Sequence, residues 1–270
     1  MDGPVFRRDL YRGTARYYDR FRVPYPGTLI DDLAERAGAA GQGRLLDLGC
    51  GTGQLCFALH GRFAEVWAVD QEPGMIAFAR DKARAAGIGN IRFTVSAAED
   101  LSVPDEYLDL ATAGNAFHRL RRAQVAASVF RWLRPGGHLA LVWGGSPWEG
   151  GAPWQRELLA VMDRWQTRAG IHSRLPPGYR QDREDRPDLM ILREAGFEPA
   201  GAREFPVAWE WTAGQLIGFA YATSILSRAA LGGQADGFEE DLRRSLHACE
   251  PAGRFPQTIR FACELARRPR

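Results

Sequence analysis

Arg44-Leu45-Leu46-Asp47-Leu48-Gly49-Cys50-Gly51-Thr52-Gly53 is the stretch whose reading decides the fold. Its apolar run suits a parallel strand covered on both faces, and the glycines that follow let the backbone turn with positive φ and approach a ligand closely. Gln54-Leu55-Cys56-Phe57-Ala58-Leu59 resumes with helical character, so a helix N-terminus faces the same crevice. Strand, glycine turn and helix together indicate an α/β chain built to hold a nucleoside.

The spacing separates two kinds of nucleoside. A dinucleotide fingerprint needs G-x-G-x-x-G/A, its last small residue packing helix on strand beside a pyrophosphate. Here the glycines fall as Gly49-x-Gly51-x-Gly53 and Gln54 stands where a small residue belongs. Asp47, read as projecting toward the site, would repel a pyrophosphate and suit a cofactor carrying an ammonium and a sulfonium. A nicotinamide oxidoreductase is therefore disfavoured.

Leu46 to Gly53 resembles motif I of the class I S-adenosylmethionine-dependent methyltransferases, and later segments follow in the order of that family. Val66-Trp67-Ala68-Val69-Asp70 is a second buried strand ending in an acid, which the resemblance assigns to the ribose hydroxyls. Ile91 to Val95 is a third strand, followed by Ser96-Ala97-Ala98-Glu99-Asp100-Leu101, similar to the adenine-contacting segment. One departure stands out: Ala97 occupies the place of an aspartate in many relatives, which passes the adenine contact to the Ala98 backbone, Glu99 or a water. Tyr107 to His118 supplies the fourth strand and its loop, and Leu133 to Trp143 a helix end, a Pro-Gly-Gly turn and the fifth strand. The resemblance covers roughly residues 10 to 145. It implies a Rossmann-like seven-stranded mixed sheet, the last strand antiparallel and slotted between two others, flanked by helices and carrying a helical cap and insertion. The implied cofactor set is Asp47, Gly49, Cys50, Gly51, Gly53, Asp70, Gln71, Met75, Ala98, Glu99 and Asn115, with S-adenosylmethionine as donor and S-adenosylhomocysteine as product.

At 270 residues, 45% apolar and 25% charged, the chain can bury one full α/β core and an appendage. The expected organisation is a cap segment over residues 1–40, a cofactor-binding core over 41–145, and over 146–270 the rest of the sheet with helical acceptor-binding insertions. A net charge of +2 suggests no nucleic-acid partner. Arg119-Leu120-Arg121-Arg122 and Arg267-Arg268-Pro269-Arg270 read as solvated surface. Cys50, Cys56, Cys249 and Cys263 lack framework or metal-ligand spacing, so neither disulfides nor a metal is expected. With no apolar leader or membrane-length run, the expectation is a cytoplasmic enzyme without membrane attachment.

Arg12 to Pro26 opens as an aromatic, arginine-rich helix and stops at two prolines. It resembles the cap of small-molecule methyltransferases, including the trans-aconitate group. That likeness places Tyr18 over the sulfonium end and Arg22 near the cofactor carboxylate; the alternative is that these residues only pack the helix on the sheet. Beyond Trp143, an amphipathic helix is expected from Trp154 to Arg168 and an irregular, proline-bearing flap from Gly170 to Pro187. A helix from Pro187 to Ala195 follows, then a sixth strand over Arg203 to Trp211. A helical pair near 213–230 and 237–248, read as hanging over the cofactor crevice, precedes a final strand over Pro256 to Leu265.

Methyl transfer is an in-line displacement, so the protein chiefly positions two reactants. His118, just after the fourth strand, is the candidate general base, with a packed histidine as the alternative. His172 falls in the expected flap. Carboxylates and indoles at Trp148, Glu149, Trp154 and Glu210 suit an amine-bearing acceptor. These point to N-methylation of an aminosugar in natural-product tailoring, similar to the gentamicin-type aminoglycoside N-methyltransferases. The alternatives are O-methylation of a small carboxylate or hydroxyl acceptor and, outside catalysis, a cofactor-binding module.

Overall fold

The computed structural model describes residues 6–171 and 176–270; His172 lies outside them. The chain runs α1 (Ala15–Phe21), α2 (Gly27–Arg36), β1 (Arg44–Leu48), α3 (Gln54–Leu59), β2 (Glu65–Asp70), α4 (Pro73–Ala85), β3 (Ile91–Val95), β4 (Leu108–Gly114), α5 (Arg122–Trp132), β5 (Leu133–Gly144), α6 (Pro153–Arg168), α7 (Tyr179–Asp185), α8 (Asp188–Glu194), β6 (Glu198–Trp211), α9 (Ala213–Tyr221), α10 (Arg228–Leu231), α11 (Ala235–Cys249) and β7 (Phe255–Arg267).

The strands form one seven-stranded sheet in the order β3-β2-β1-β4-β5-β7-β6. The first five are mutually parallel, and β7 runs antiparallel between β5 and β6. This is the Rossmann-like mixed sheet that the motif order implies. Register within β1 sets its two faces: Leu45 enters one apolar layer and Leu46 and Leu48 the other, so Asp47 shares a face with Leu45 and looks toward α3. Burial on both sides is why these strands read as unbroken apolar runs.

Several elements depart from the sequence expectation. Pro135-Gly136-Gly137 lies within β5 rather than before it, where pairing to β4 shifts register between Leu108 and Leu110. The sixth strand begins at Glu198, its first residues masked in the sequence by Pro199 and Gly201, which an edge strand tolerates. The supposed flap contains α7, whose Tyr179 meets Phe6 edge to face at 5.3 Å. The first inserted helix stops at Tyr221. No residue of the insertion lines the crevice at the carboxyl ends of the strands: α9 packs against α1, Phe21 lying where a Cβ on Gly218 would stand, and α11 packs against α6. Among the described residues no helix is long and apolar enough to cross a membrane.

Candidate active site

The glycine turn is built around two acids. Gly49 has φ +64°, and a Cβ there would stand 2.6 Å from the Ala116 Cβ, so the β1 and β4 loops approach as closely as they do only because that side chain is missing. Gly53, at φ +92°, begins α3 and cannot cap it with a side chain. Asp47 does so instead: its Oδ2 accepts from the Cys56 backbone N–H at 3.2 Å and its Oδ1 from Thr112 Oγ1 at 2.8 Å. Burial lifts the Asp47 carboxyl to about 7 against these two hydrogen bonds. The side chain lies behind the turn, beside a small recess shared with Tyr25 and Cys50, and not on the wall of the main cavity.

That cavity, of about 200 Å³, opens at the carboxyl ends of the parallel strands, where doubly wound sheets bind ligands. Gly49 and Gly51 form one side of it. Asp70, at the end of β2, accepts from the Gly51 N–H at 2.9 Å through Oδ2 and from the Glu72 N–H at 2.8 Å through Oδ1. Each oxygen keeps a second lone pair for a ligand hydroxyl. Burial raises the Asp70 carboxyl, and the two backbone donors oppose that rise. Gln71 and Met75 continue this wall from the β2–α4 connection. Ala98 and Glu99 stand across from it beside Ala97, and the Glu99 carboxylate is fixed by the Arg121 N–H at 2.7 Å. Asn115, at φ +50°, reaches Gly144 N–H and Tyr25 and lines the cavity after β4.

The roof comes from the N-terminal segment. Phe6, Arg8, Tyr11 and Tyr18 line it, and the Tyr18 ring lies over Gly51, where an added Cβ would meet it at 3.6 Å. Arg22 does not line the cavity; its guanidinium sits between the Tyr18 and Phe219 rings, 4.9 and 4.5 Å from their centroids, and its buried Nε has no hydrogen-bond partner. Gly53 and Cys50 serve the turn rather than the cavity wall.

Several expected site residues lie elsewhere. His118 faces Tyr179 and does not line the cavity; burial, with Arg119 and Arg183 nearby, pushes its pKa down to about 3, so it is neutral and a feeble base. Trp154 is buried against Phe255, Trp148 packs edge to face on Phe219, and Glu210 pairs with Arg254 at 2.9 Å on the edge strand. Glu149 holds Gln155 and Gln257 through its backbone oxygen. None of these four lines the cavity. Conversely, Arg119, read as solvated surface, is on the wall, whereas Arg122 is buried and paired with Asp182 and Asp188. Phe6, Tyr11 and Arg119 carried no motif; their site role arises only when the chain start folds over the β4 loop. Among the described residues no group of three or more His, Cys, Asp or Glu is placed to hold a metal ion.

With a nucleoside-sized cavity built on a glycine turn and the Asp70 carboxylate, comparison with known proteins becomes informative. Residues 45–137 match the family model described as a methyltransferase domain. An uncharacterised methyltransferase of Mycobacterium tuberculosis is 35% identical over 161 residues, 58% of this chain and 62% of that protein. The chain thus spans less than two thirds of the length of the curated relatives it matches first. A putative type II methyltransferase from Anaeromyxobacter dehalogenans shares the fold at TM-score 0.60 and 24% identity, covering 92% of this chain and 97% of the other. The cyclase SpnF shares it at TM-score 0.54 and 23% identity, covering 92% and 84%. A fold common to proteins so named does not by itself fix the reaction, which rests on the site.

Proposed function

We propose that this chain transfers the methyl group of S-adenosylmethionine to a small-molecule acceptor. The observation that carries the reading is the Asp70 carboxylate, oriented by two backbone N–H groups beside two glycines that leave no side chain between it and the cavity. A vicinal diol fits such an acceptor, and a nucleoside presents one. Gly49 and Gly51 would lie against the cofactor, Met75 and Ala98 against its base and Tyr18 above it, whereas Arg22, held between the Tyr18 and Phe219 rings, stands behind that cover. When bound, the cofactor supplies a methyl on a positively charged sulfur. The chain's own contribution is to hold the acceptor in line and keep water out.

His118, neutral and off the cavity, takes no proton in this reaction; a carboxylate or a neutral amine attacks the methyl carbon without losing one first, whereas a hydroxyl acceptor gives its proton to solvent as the new O–C bond forms and the S–C bond breaks. The Trp148, Glu149, Trp154 and Glu210 set that suggested aminosugar N-methylation and antibiotic tailoring does not reach the cavity, which removes the support for that finer reading. Its rival, methylation of a small carboxylate or hydroxyl acceptor, gains from the arginine on the wall. Calorimetry tests the donor: S-adenosylhomocysteine should bind saturably and NADH should not, and Asp70→Ala should weaken the former by about 10–100-fold. Equal affinity of wild type and variant would overturn the ribose assignment.

A further inference from the structure

Arg119 is the one wall residue of the cavity whose charged donors are buried and unmatched among the described residues. Its Nη2 donates to Ser224 Oγ at 3.1 Å, while Nε and Nη1 are buried with no hydrogen-bond partner. The guanidinium is held in place by the Phe6 and Tyr11 rings, 5.4 and 5.3 Å from their centroids, so it is fixed without being neutralised. Of the other two cavity arginines, Arg8 is already paired with Asp100 at 3.1 Å, both being exposed, and Arg121 is itself exposed to solvent. Buried N–H donors left without acceptors are costly; Nε–H and Nη1–H lie on different edges of the guanidinium, each edge completed by one hydrogen of Nη2, and since Ser224 takes only one of those, the other edge offers an anion a parallel pair made of one unmatched donor and the second Nη2 hydrogen.

We propose that Arg119 is the anchor for an anionic group, a carboxylate or phosphate, on the acceptor. This deepens the methyltransferase reading and rests on it. Ser224 sets the tilt of the fork through Nη2, and Tyr11 and Phe6 shield the ion pair from water, which strengthens it. The anchor fixes one end of the acceptor so that its nucleophile meets the donor at a set distance. A cationic aminosugar lacking an acid would be repelled from the same wall.

The test uses the full chain saturated with S-adenosylhomocysteine. Calorimetric titration compares inorganic phosphate, succinate and benzoate with succinamide and benzamide as neutral counterparts. Saturable binding of at least one anion and none of the amides is expected; preference between phosphate and the carboxylates tells which anion class the anchor takes. Arg119→Gln should weaken that anion by about tenfold or more, and Arg119→Lys should restore part of the loss, since it keeps the charge but not the fork. Amides binding as well as acids, no saturable anion binding to wild type, or an unchanged affinity in Arg119→Gln would each overturn the proposal. If Arg119→Gln weakens S-adenosylhomocysteine but not 5′-methylthioadenosine, the arginine holds the cofactor's own carboxylate and the acceptor assignment is overturned. Failure of wild type to bind S-adenosylhomocysteine would instead sink the reading on which the proposal rests. Thermal melts of both variants establish that they are folded.

Discussion

Asp47 is 1% exposed, and its two hydrogen bonds do not offset the desolvation of its charge. Its folded pKa of about 7 lies above the ordinary 3.8, so the folded protein holds this proton more tightly than the unfolded chain does. The sign follows: the contribution is favourable at low pH and is lost as pH rises from about 4 through 7. Asp47→Asn keeps the shape without the titration. The stability of the variant relative to wild type should therefore grow by about 1.4 kcal/mol between pH 6 and pH 8, as read by urea unfolding at the two values. A gap that does not change with pH would mean that Asp47 is an ordinary carboxylate. His118, depressed to about 3, acts oppositely and identically in both proteins, so the difference isolates Asp47. The sequence made Asp47 visible as an acid before a glycine turn, but it could not show that Thr112 and the start of α3 claim both oxygens. That depends on the β1–β4 pairing, where Asp47 stands opposite Thr112.

Among the elements, α5, α7 and α8 are tied at one residue. Arg122, 5% exposed, donates to Asp188 Oδ1 at 2.7 Å and to Asp182 at 2.6 Å, and Arg183 donates to the same Asp188 oxygen at 2.5 Å. Breaking a buried pair leaves an uncompensated charge, so Arg122→Met should cost about 3–5 kcal/mol, toward the lower end because Arg183 still serves Asp188. Urea unfolding of Arg122→Met and of the double variant Arg122→Met/Asp188→Leu checks it; the double variant should recover part of the loss. A loss below about 1 kcal/mol would show that the pair is solvated. This clamp explains what was and was not legible. The parallel strands were legible as apolar runs because both faces are covered, and β2 and β3 lie within a residue of their expected ends. An Arg-Leu-Arg-Arg run, by contrast, gives no hint of which arginine is buried. Arg119 and Arg122 are selected by Ser224, Asp182 and Asp188, partners 60 to 105 residues away. The acceptor side failed for the same reason: Trp148 and Trp154 belong to the packing of α6, α9 and β7, and tryptophans in a core read like tryptophans in a pocket.

At the scale of the whole molecule, the cavity has a rigid floor and a separately attached roof. The floor is the sheet edge and its loops. The roof, from Phe6 to Phe21, is fastened by Tyr17 against Tyr221 at 5.1 Å, by Lys82 to Asp19 at 2.6 Å, and across the far rim by the exposed Arg8–Asp100 pair. An exposed pair of that kind contributes about 0–1 kcal/mol, so the roof should open more readily than the sheet. A ligand that bridges Asp70 on the floor and Tyr18 on the roof closes that gap by mass action. S-adenosylhomocysteine at 100 times its Kd should add about 2.7 kcal/mol and raise Tm by roughly 5–10 °C. Hydrogen exchange tells whether the roof belongs to the site: in the free protein amides of residues 7–22 should exchange faster than those of β1, β2 and β4, and bound ligand should slow both sets by up to about 100-fold, because opening the roof and unfolding the sheet both release it. If residues 7–22 exchanged as slowly as the sheet in the free protein, the roof would be part of the same cooperative unit as the sheet. If the ligand slowed only β1 and β2 and left residues 7–22 unchanged, the N-terminal segment would not be the cover of this site, and Tyr11, Tyr18 and Phe6 would lose their place in it.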